Sequence, residues 1–429
     1  MKDSRLPPAS LAWLIWGLLA SLYFVGFFQR VAPAVMVDEL MRDFDIAATL
    51  LGNLSAIYFY TYAAMQIPSG LMSDAIGPRR VGALAAVAAA LGILLFAQAD
   101  SLWLAYLGRG LVGASVAVAF VACMKLAGHW FPANRFATVT GVSLLIGNLG
   151  GILAGVPLSE AVAGIGWRMA MLICAAATLL LAGMVWLWVR DDPGERGYAT
   201  HAHPEAFKDM SASRSLKLVI AQRETWPLFV AGGMVAAPVL TFAGLWGVPY
   251  LVQVHGMERS QAAGYTTAML LGFAVGGPLL GALSDRIGRR KLPYLGAAVV
   301  HALGWLAFLY FTELPAVMRT LLFATIGFSA GSLIIGFAFA REVNHPGAAG
   351  TVAGVVNMSV LGFAAIQQSG MGWILDRNWK GAMLEGARIY DAAAYHAAFL
   401  WLAVSALVGV VSVALTKETY CRLRFEADN

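Results

Sequence analysis

The sequence has little charge for its length: 12% of the 429 residues are Asp, Glu, Lys or Arg, whereas 59% are hydrophobic. So little polar surface cannot cover a soluble globule of this size, which excludes an ordinary water-soluble protein. There are only three cysteines, Cys123, Cys174 and Cys421, and this excludes a disulfide framework. The composition therefore predicts a chain that lies in a lipid bilayer.

Acidic residues are missing from the middle of every apolar segment. All 24 Asp and Glu residues fall in polar segments or at the ends of apolar ones, and Asp38, Glu39, Glu342 and Asp376 come nearest to the membrane. This excludes a carboxylate proton carrier deep in the membrane. A coupling proton is still a candidate partner, either through these end-of-helix acids or through a substrate that binds in its protonated form.

Long apolar segments are what the sequence has in abundance. Twelve of them reach the roughly 20 residues that a helix needs to cross the hydrocarbon core of a membrane. They lie near residues 11–36, 48–72, 81–99, 102–126, 136–159, 169–189, 226–251, 262–283, 292–311, 316–340, 350–374 and 395–415. We therefore predict an all-α polytopic membrane protein with twelve transmembrane helices.

Lys and Arg are distributed unevenly between the connecting segments. If the N-terminus is cytoplasmic, twenty of the 29 basic residues lie on the cytoplasmic side and seven on the other, while Arg30 and Arg109 lie within helices. The positive-inside rule then places both termini in the cytoplasm. This topology and the attraction of basic loops to anionic lipid explain the net charge of +5, so no nucleic-acid partner is expected.

The composition turns polar between Arg190 and Gln222, which predicts a cytoplasmic linker at 191–222. The linker separates an N-terminal six-helix bundle at 1–190 from a C-terminal one at 223–416. Residues 417–429 form a cytoplasmic tail. We expect a monomer without cofactor or metal.

One motif occurs twice in the chain. Gly70-Leu-Met-Ser-Asp74-Ala-Ile-Gly77-Pro-Arg79-Arg80 and Gly281-Ala-Leu-Ser-Asp285-Arg286-Ile-Gly288-Arg289-Arg290-Lys291 are related by an offset of 211 residues, about half of the chain. The offset indicates an internal duplication, which is typical of transporters whose two halves rock about a central site. The acids and arginines of each loop can form ion pairs that hold the cytoplasmic ends of the halves, so we predict a gating role for both loops.

This repeated loop resembles the signature of the major facilitator superfamily, and the resemblance covers essentially all twelve helices. Gly108-Arg109-Gly110-Leu-Val-Gly113 is similar to the family's fourth-helix motif, which is centred on an arginine. The resemblance implies two pseudo-symmetric six-helix bundles, alternating access, and secondary transport of a small solute. It also implies a multi-pass protein of the inner, or plasma, membrane.

Arg30 is the residue that we predict to hold the substrate. A charge within an apolar span costs about 2.5–3.5 kcal/mol, so it should face a watery cavity or a partner. Tyr23, Phe27 and Arg30 share one helical face. Because a guanidinium stays protonated and grips a carboxylate with two parallel hydrogen bonds, Arg30 is suited to anchor an anion. The alternative is structural, with Arg30 reaching the interface or pairing with Asp38 or Glu39.

A first-helix arginine also resembles the anion-binding arginine of the organic-anion and organophosphate branches of the superfamily. Phosphate-ester members pair it with a second cation in helix seven, but the 211-residue offset places Thr241 there, and 226–251 contains no Lys or Arg. One cation predicts a monocarboxylate or an amino-acid-like zwitterion. The side chains predicted to complete the pocket are Tyr58, Tyr62, Gln66, Asn148, Thr241, Trp246, Tyr250, Asn357 and Gln368, each of which has inter-helix packing as its alternative role.

Two other functions are open from the sequence. The fifth span, Gly141–Pro157, is glycine-rich, as in drug-exporting members of the superfamily, but it lacks the Gly-Pro pair expected in its middle. A proton-coupled exporter of drugs or metabolites is one alternative, although Arg30 would be an unfavourable neighbour for a lipophilic cation. The other is a membrane enzyme or sensor on a transporter scaffold, for which the sequence offers no appended soluble domain.

Glycines recur at four-residue spacing, which lets helix backbones approach closely in lipid. The pairs are Gly151 and Gly155, Gly272 and Gly276, Gly277 and Gly281, Gly327 and Gly331, and Gly350 and Gly354. We predict that these positions lie at helix–helix contacts.

Overall fold

A computed structural model of the chain describes residues 5–132, 135–201, 212–311 and 313–423, and this part is mostly helical. The helices of the first half are α1 (Ala9–Val31), α2 (Val37–Asp43), α3 (Ala48–Ala64), α4 (Gln66–Ile76), α5 (Pro78–Ala97), α6 (Leu102–Val116), α7 (Val118–Trp130), α8 (Phe136–Leu153), α9 (Val156–Ile165) and α10 (Trp167–Trp188). Those that follow are α11 (Ala212–Ala221), α12 (Thr225–Thr241), α13 (Gly247–His255), α14 (Arg259–Ile287), α15 (Lys291–Tyr310), α16 (Ala316–Ala330), α17 (Leu333–Val343), α18 (Ala349–Arg377) and α19 (Ala392–Ala414).

Shorter elements connect these helices. There are 3-10 helices at Ala32–Val35, Pro193–Arg196 and Pro346–Ala348, and a π-helix at Phe242–Trp246. Two short antiparallel strands, β1 (Met383–Leu384) and β2 (Ala387–Arg388), form a hairpin between α18 and α19.

Within the described ranges, eleven helical segments are long and apolar enough to cross a membrane, and they match eleven of the twelve predicted spans. The predicted span at 48–72 is instead divided at Met65 into α3 and α4. Pro68 explains the division, because it has no N–H to donate to the carbonyl of Ala64 and so weakens the helix at this point. That α3 and α4 together form the second span stays a prediction.

One compact unit comprises Met1–Arg30, Tyr60–Ala154 and Glu160–Lys208. Its core is formed where α5 packs against α6 and α10. Gly92 and Gly108 allow the α5–α6 contact, because a Cβ atom on either glycine would lie only 2.7–2.8 Å from the carbonyl oxygen of the other.

The second compact unit comprises Val31–Phe59, Gly155–Ser159 and Asp209–Asn429. In it α14 packs along α16, and α12 packs against α18 and α19. A Cβ atom on Gly276 would overlap the carbonyl oxygen of Phe328, and one on Gly327 would overlap that of Met269. The predicted role of these glycines in close helix packing is confirmed at α14 and α16 but is wrong at Gly350 and Gly354, where a Cβ atom would meet no atom within 4 Å.

A carboxylate that follows the last long helix of each half caps an earlier helix. After α10, Asp191 accepts a hydrogen bond from the backbone N–H of Arg79 at 2.6 Å, at the start of α5. After α19, Glu418 accepts from the backbone N–H groups of Arg290 and Lys291 at 2.7 and 3.0 Å, at the start of α15. Since Arg79 and Arg290 are equivalent in the repeat, the duplication extends from the sequence to these tertiary contacts.

Candidate functional site

Arg30 lies in the last turn of α1 with 7% of its surface exposed. Its guanidinium carbon lies 4.3 Å from the centre of the Phe27 ring and 5.4 Å from that of Tyr62. The Tyr62 hydroxyl is hydrogen-bonded to Arg30 and Gln66, and the ring of Tyr23 stands edge-on to Phe27 at 4.9 Å. The structure thus gathers four other predicted site residues, Tyr23, Phe27, Tyr62 and Gln66, around the Arg30 guanidinium.

Helix α8 approaches this group at Gly147. A Cβ atom there would lie 2.7 Å from the Tyr23 ring and 3.2 Å from the Phe27 ring, so the glycine makes room for both aromatic side chains. Asn148, the next residue and another predicted site residue, is partly buried on the same helix. This contact packs α8, which lies in the fifth predicted span, against α1, which lies in the first.

The break after Arg30 explains the role of Arg109. Pro33 has no N–H to donate to the carbonyl of Gln29, four residues earlier, and α1 gives way to a 3-10 helix there. Arg109, 1% exposed, supplies the missing donor: its Nη1 lies 2.7 Å from the Gln29 oxygen. The fourth-helix motif, in which Gly113 is also buried, therefore stabilises the helix end that carries Arg30.

We expect Arg109→Leu to lower the free energy of unfolding by about 1–3 kcal/mol, because the buried Gln29 carbonyl loses its donor. The melting temperature in detergent, followed by the intrinsic fluorescence of the tryptophans, measures this loss. Pro33→Ala restores an N–H four residues after Gln29, so the double variant should recover part of the stability. An Arg109→Leu variant that melts with wild type would contradict the proposed role.

The remaining predicted site residues lie in the second unit, where the π-helix continues α12 into α13. The Trp246 indole N–H donates to the Gln368 carbonyl at 3.1 Å, and the Thr241 hydroxyl lies 3.3 Å from Gln367 Oε1. Gln368 Oε1 is buried and has no hydrogen-bond partner among the described residues. Because π-helices are frequent at functional sites, this irregular turn against α18 is consistent with the predicted location.

Three predicted site residues have other surroundings. The Tyr250 ring packs in an aromatic cluster with Phe308 and Phe399, and its hydroxyl lies 3.0 Å from His255 Nε2. Tyr58 is fully buried. Asn357 is partly buried, on the α18 face that also carries Gln368. Packing accounts for the contacts of Tyr250, and a binding role for each of the three stays a prediction.

The second copy of the loop motif contains the predicted ion pair. Arg290 binds Asp285 at 2.5 Å and Glu342 at 2.8 Å, and its Nη1 lies 3.1 Å from the Ser284 hydroxyl. The Thr419 hydroxyl donates to the second oxygen of Glu342. Although burial opposes ionisation, Glu342 and Asp285 raise the pKa of Arg290 above its ordinary value. Through Glu342, Thr419 therefore attaches the C-terminal tail to Arg290 of this loop.

The first copy is arranged differently. The Arg79 guanidinium donates to the Trp186 carbonyl at 2.8 and 3.0 Å, and Gly77, at a φ of 84°, leaves room for the Asp191 carboxylate. The Asp74 side chain lies outside what the structure describes, and Gly70 is partly buried.

The other motif residues serve the turns or lie at the surface. Gly288 ends α14 in the left-handed region at a φ of 68°, and Gly281 lies on α14 against Ile334. Arg80, Arg286 and Arg289 are exposed.

Asp38 and Glu39 meet two residues that the sequence did not single out, Gln253 on α13 and Arg259 on α14. Glu39 is bound by Arg259 at 2.5 Å, and the Asp38 carboxylate accepts from Gln253 Nε2 at 3.2 Å. Glu39 was considered above as a structural partner of Arg30, but its bound cation is Arg259. The only sequence signal for this pairing is an arginine at the start of a long apolar span.

Comparison with known proteins identifies the family. A family model described as Major Facilitator Superfamily matches residues 19–368. The chain belongs to the Major Facilitator Superfamily. The predicted resemblance is confirmed, and the protein is a multi-pass membrane transporter, not an enzyme.

Relatives are named as transporters of organic anions. The probable sulfoacetate transporter SauU of Cupriavidus necator is 24% identical over 65% of this chain, which spans 66% of that protein. A candidate tartrate transporter of Agrobacterium vitis is 27% identical over 83% of this chain and 85% of its own length. The hexuronate transporter of Escherichia coli K12 is 24% identical over 63% of this chain and 64% of its own length.

A solved structure confirms the fold. A bacterial homolog to the human lysosomal transporter Spinster, in an inward-facing and unoccupied conformation, matches with a TM-score of 0.72. The match covers 95% of this chain and 96% of the other at 18% sequence identity. At this identity the likeness shows the fold alone.

Proposed function

We propose that this protein is a secondary active transporter that moves a small organic anion or zwitterion across the inner membrane by alternating access. The proposal includes the complete predicted architecture: twelve transmembrane helices in two six-helix bundles, at 1–190 and 223–416, with both termini cytoplasmic. The helices α3 and α4 together form the second span. The protein acts as a monomer, and the two loop motifs gate its cytoplasmic side.

The observation that supports the proposal most directly is the setting of Arg30. Its guanidinium is held between the rings of Phe27 and Tyr62 at the end of α1, in an apolar protein. Contact with the two rings helps to hold the planar group in one orientation, and a planar guanidinium matches the two oxygens of a carboxylate. A charge-assisted pair of this kind is stronger in such surroundings than in water.

The chemistry of the related transporters' substrates fits the same anchor. Sulfoacetate, tartrate and hexuronate each carry a carboxylate, and hexuronate is the one of the three with a single anionic group, which matches a single cation. The segment 226–251 supplies no second Lys or Arg that would favour a phosphate ester. We therefore assign this protein a carboxylate, monovalent or amino-acid-like, whose remaining polar groups contact Tyr62, Gln66 and Asn148.

Uptake by the purified protein in proteoliposomes tests the assignment. Labelled sulfoacetate, tartrate and a hexuronate are compared with uridine, and efflux of a cationic dye is followed in parallel. We expect saturable uptake of at least one carboxylate and no movement of uridine or dye. Dye efflux without carboxylate uptake would contradict the proposal and favour the exporter.

A further inference from the structure

Asp38 is a carboxylate whose charge is poorly compensated. It lies on α2, in the connection between the first two spans, and the single hydrogen bond shown for it comes from the neutral amide of Gln253 at 3.2 Å. In the described part of the chain, no Lys or Arg nitrogen approaches it closely enough for an ion pair, since the nearby Arg259 is bound by Glu39. Of these two neighbouring acids, it is Glu39 that has the ion pair.

Several elements surround Asp38, among them β2, which packs on α2 and whose Arg388 lies 3.5 Å from Asp376. On α2 itself the charged neighbours of Asp38 are Glu39 and Arg42, and Arg42 contacts Asp43 at 3.4 Å. From α14 comes Arg259. Both Gln253 on α13 and Tyr395 on α19 are neutral, and the Tyr395 hydroxyl donates to Gln253 Oε1 at 3.0 Å.

Burial, and then the Glu39 carboxylate, raise the pKa of Asp38 above its ordinary value. Protonation of Asp38 would relieve both of these effects.

Other acids near the membrane have their charge met by donors. Asp376 accepts from the backbone N–H groups of Ala48 and Thr49, at 3.2 and 2.8 Å, and from the hydroxyl of Tyr390 at 2.6 Å. Glu342 is bound by Arg290. These donors stabilise the charged forms of Asp376 and Glu342, whereas the donor to Asp38 is the neutral amide of Gln253.

The contacts of Asp38 also join parts of the chain that lie far apart in sequence. The Nε2 of Gln253 donates to the Asp38 carboxylate, and its Oε1 accepts from the backbone N–H of Tyr390 at 3.1 Å. The predicted N-terminal half, through α2, is thus tied to α13 and to the segment before α19. Opening of this end during transport has to break these contacts and expose Asp38 to water.

We propose that Asp38 is the binding site for the coupling proton, and that the Asp38 cluster, formed by Asp38, Glu39, Gln253 and Arg259, is a gate that the proton closes. The inference rests on the proposed transport function. In the predicted topology the end of the protein that carries the Asp38 cluster faces away from the cytoplasm, so protons reach it from the outside. A carboxyl group with a higher pKa in the closed than in the open gate binds its proton more tightly when closed.

The direction of the pH effect follows from this difference. Below the pKa of exposed Asp38 both states are protonated, and the closed state has its full stability. As the pH rises through the raised pKa, the proton is lost and the closed state is weakened. For one linked proton, the ratio of open to closed protein should rise by up to about tenfold per pH unit between the two pKa values.

Spin labels can report the gate without any substrate. Leu50, at the outer end of α3, and Met383, in β1, are both exposed and are replaced by cysteine in full-length protein that lacks Cys123, Cys174 and Cys421. Pulsed electron resonance then measures the label-to-label distance between pH 4.5 and 8. We expect one short distance at low pH and a growing longer-distance population as the pH rises.

Three variants make the test specific. Asp38→Asn mimics the protonated group and should keep the short distance at every pH. Gln253→Met removes the donor that favours the ionised form, so the midpoint should move to higher pH. Asp45→Asn is the matched control: it is an exposed acid of the same connection, at a φ of 50° that Asn tolerates well, and it should behave as wild type.

Each outcome decides the question. Wild-type distances that do not change with pH, or an Asp38→Asn variant that keeps the wild-type profile, would overturn the inference. If Glu39→Gln abolishes the profile and Asp38→Asn does not, Glu39 is the site instead. If the protein takes up none of the carboxylates, but the label-to-label distance still depends on pH and on Asp38, the proposed function is wrong and the proton-closed gate stands.

Discussion

Arg30→Ala is expected to lower the rate of carboxylate uptake, at substrate concentrations below saturation, by about 30-fold or more. The estimate follows from the roughly 2–5 kcal/mol that is lost when one partner of a buried, hydrogen-bonded charge pair is removed. The guanidinium is held by the rings of Phe27 and Tyr62, and alanine leaves the carboxylate without a cation at that depth. Initial rates in proteoliposomes measure the effect.

Two further variants separate charge from shape at this position. Arg30→Lys keeps the charge but loses the planar fork, so it should retain an intermediate rate. Arg422→Ala removes an exposed arginine of the tail and changes the net charge equally, yet it should transport as wild type. Uptake by Arg30→Ala at the wild-type rate, with a normal melting temperature, would rule out the anchor.

The second large effect is expected from Gly276→Ala. A methyl group at this position overlaps the backbone carbonyl of Phe328, so α14 and α16 have to move apart. Overpacking of this kind costs about 1–3 kcal/mol and more where backbone cannot yield. We expect a lower melting temperature and a smaller monodisperse fraction in size-exclusion chromatography.

Gly264→Ala is the matched control on the same helix. Its added Cβ would meet no atom within 4 Å, and the next residue is not a proline. Because alanine favours helix over glycine by about 1 kcal/mol, this variant should be as stable as wild type or more so. Equal melting temperatures for the two variants would show that α14 and α16 are not closely packed here.

Much of the fold follows from local patterns in the sequence. Apolar segments of spanning length predicted eleven of the helices, since length and hydropathy alone decide whether a segment can cross a bilayer. The loop motif predicted the Asp285–Arg290 pair because both residues lie on adjoining turns of the chain. The face shared by Tyr23, Phe27 and Arg30 was likewise set by helical spacing.

Other features depend on which distant residue supplies a partner, and sequence spacing does not specify that. Pro33 indicated that the Gln29 carbonyl would lack its helical donor, but not that Arg109 would provide one from α6. Likewise, the sequence did not indicate that Glu39 would pair with Arg259 while Asp38 would accept from Gln253. The interruption at Met65 follows from Pro68, and hydropathy alone does not indicate it because the apolar segment continues across it.

The carboxylates that follow α10 and α19 have a consequence for how such a chain could arise. Asp191 closes onto the helix that begins beside Arg79, and Glu418 closes onto the one that begins beside Arg290. Each closure is made by residues of its own repeat, so a polypeptide of half this length already contained what it needed to fasten its last helix. Two identical copies of such an ancestor could be fused end to end without any new contact of this kind. The two halves could then diverge in sequence while each kept its own carboxylate-to-backbone hydrogen bond.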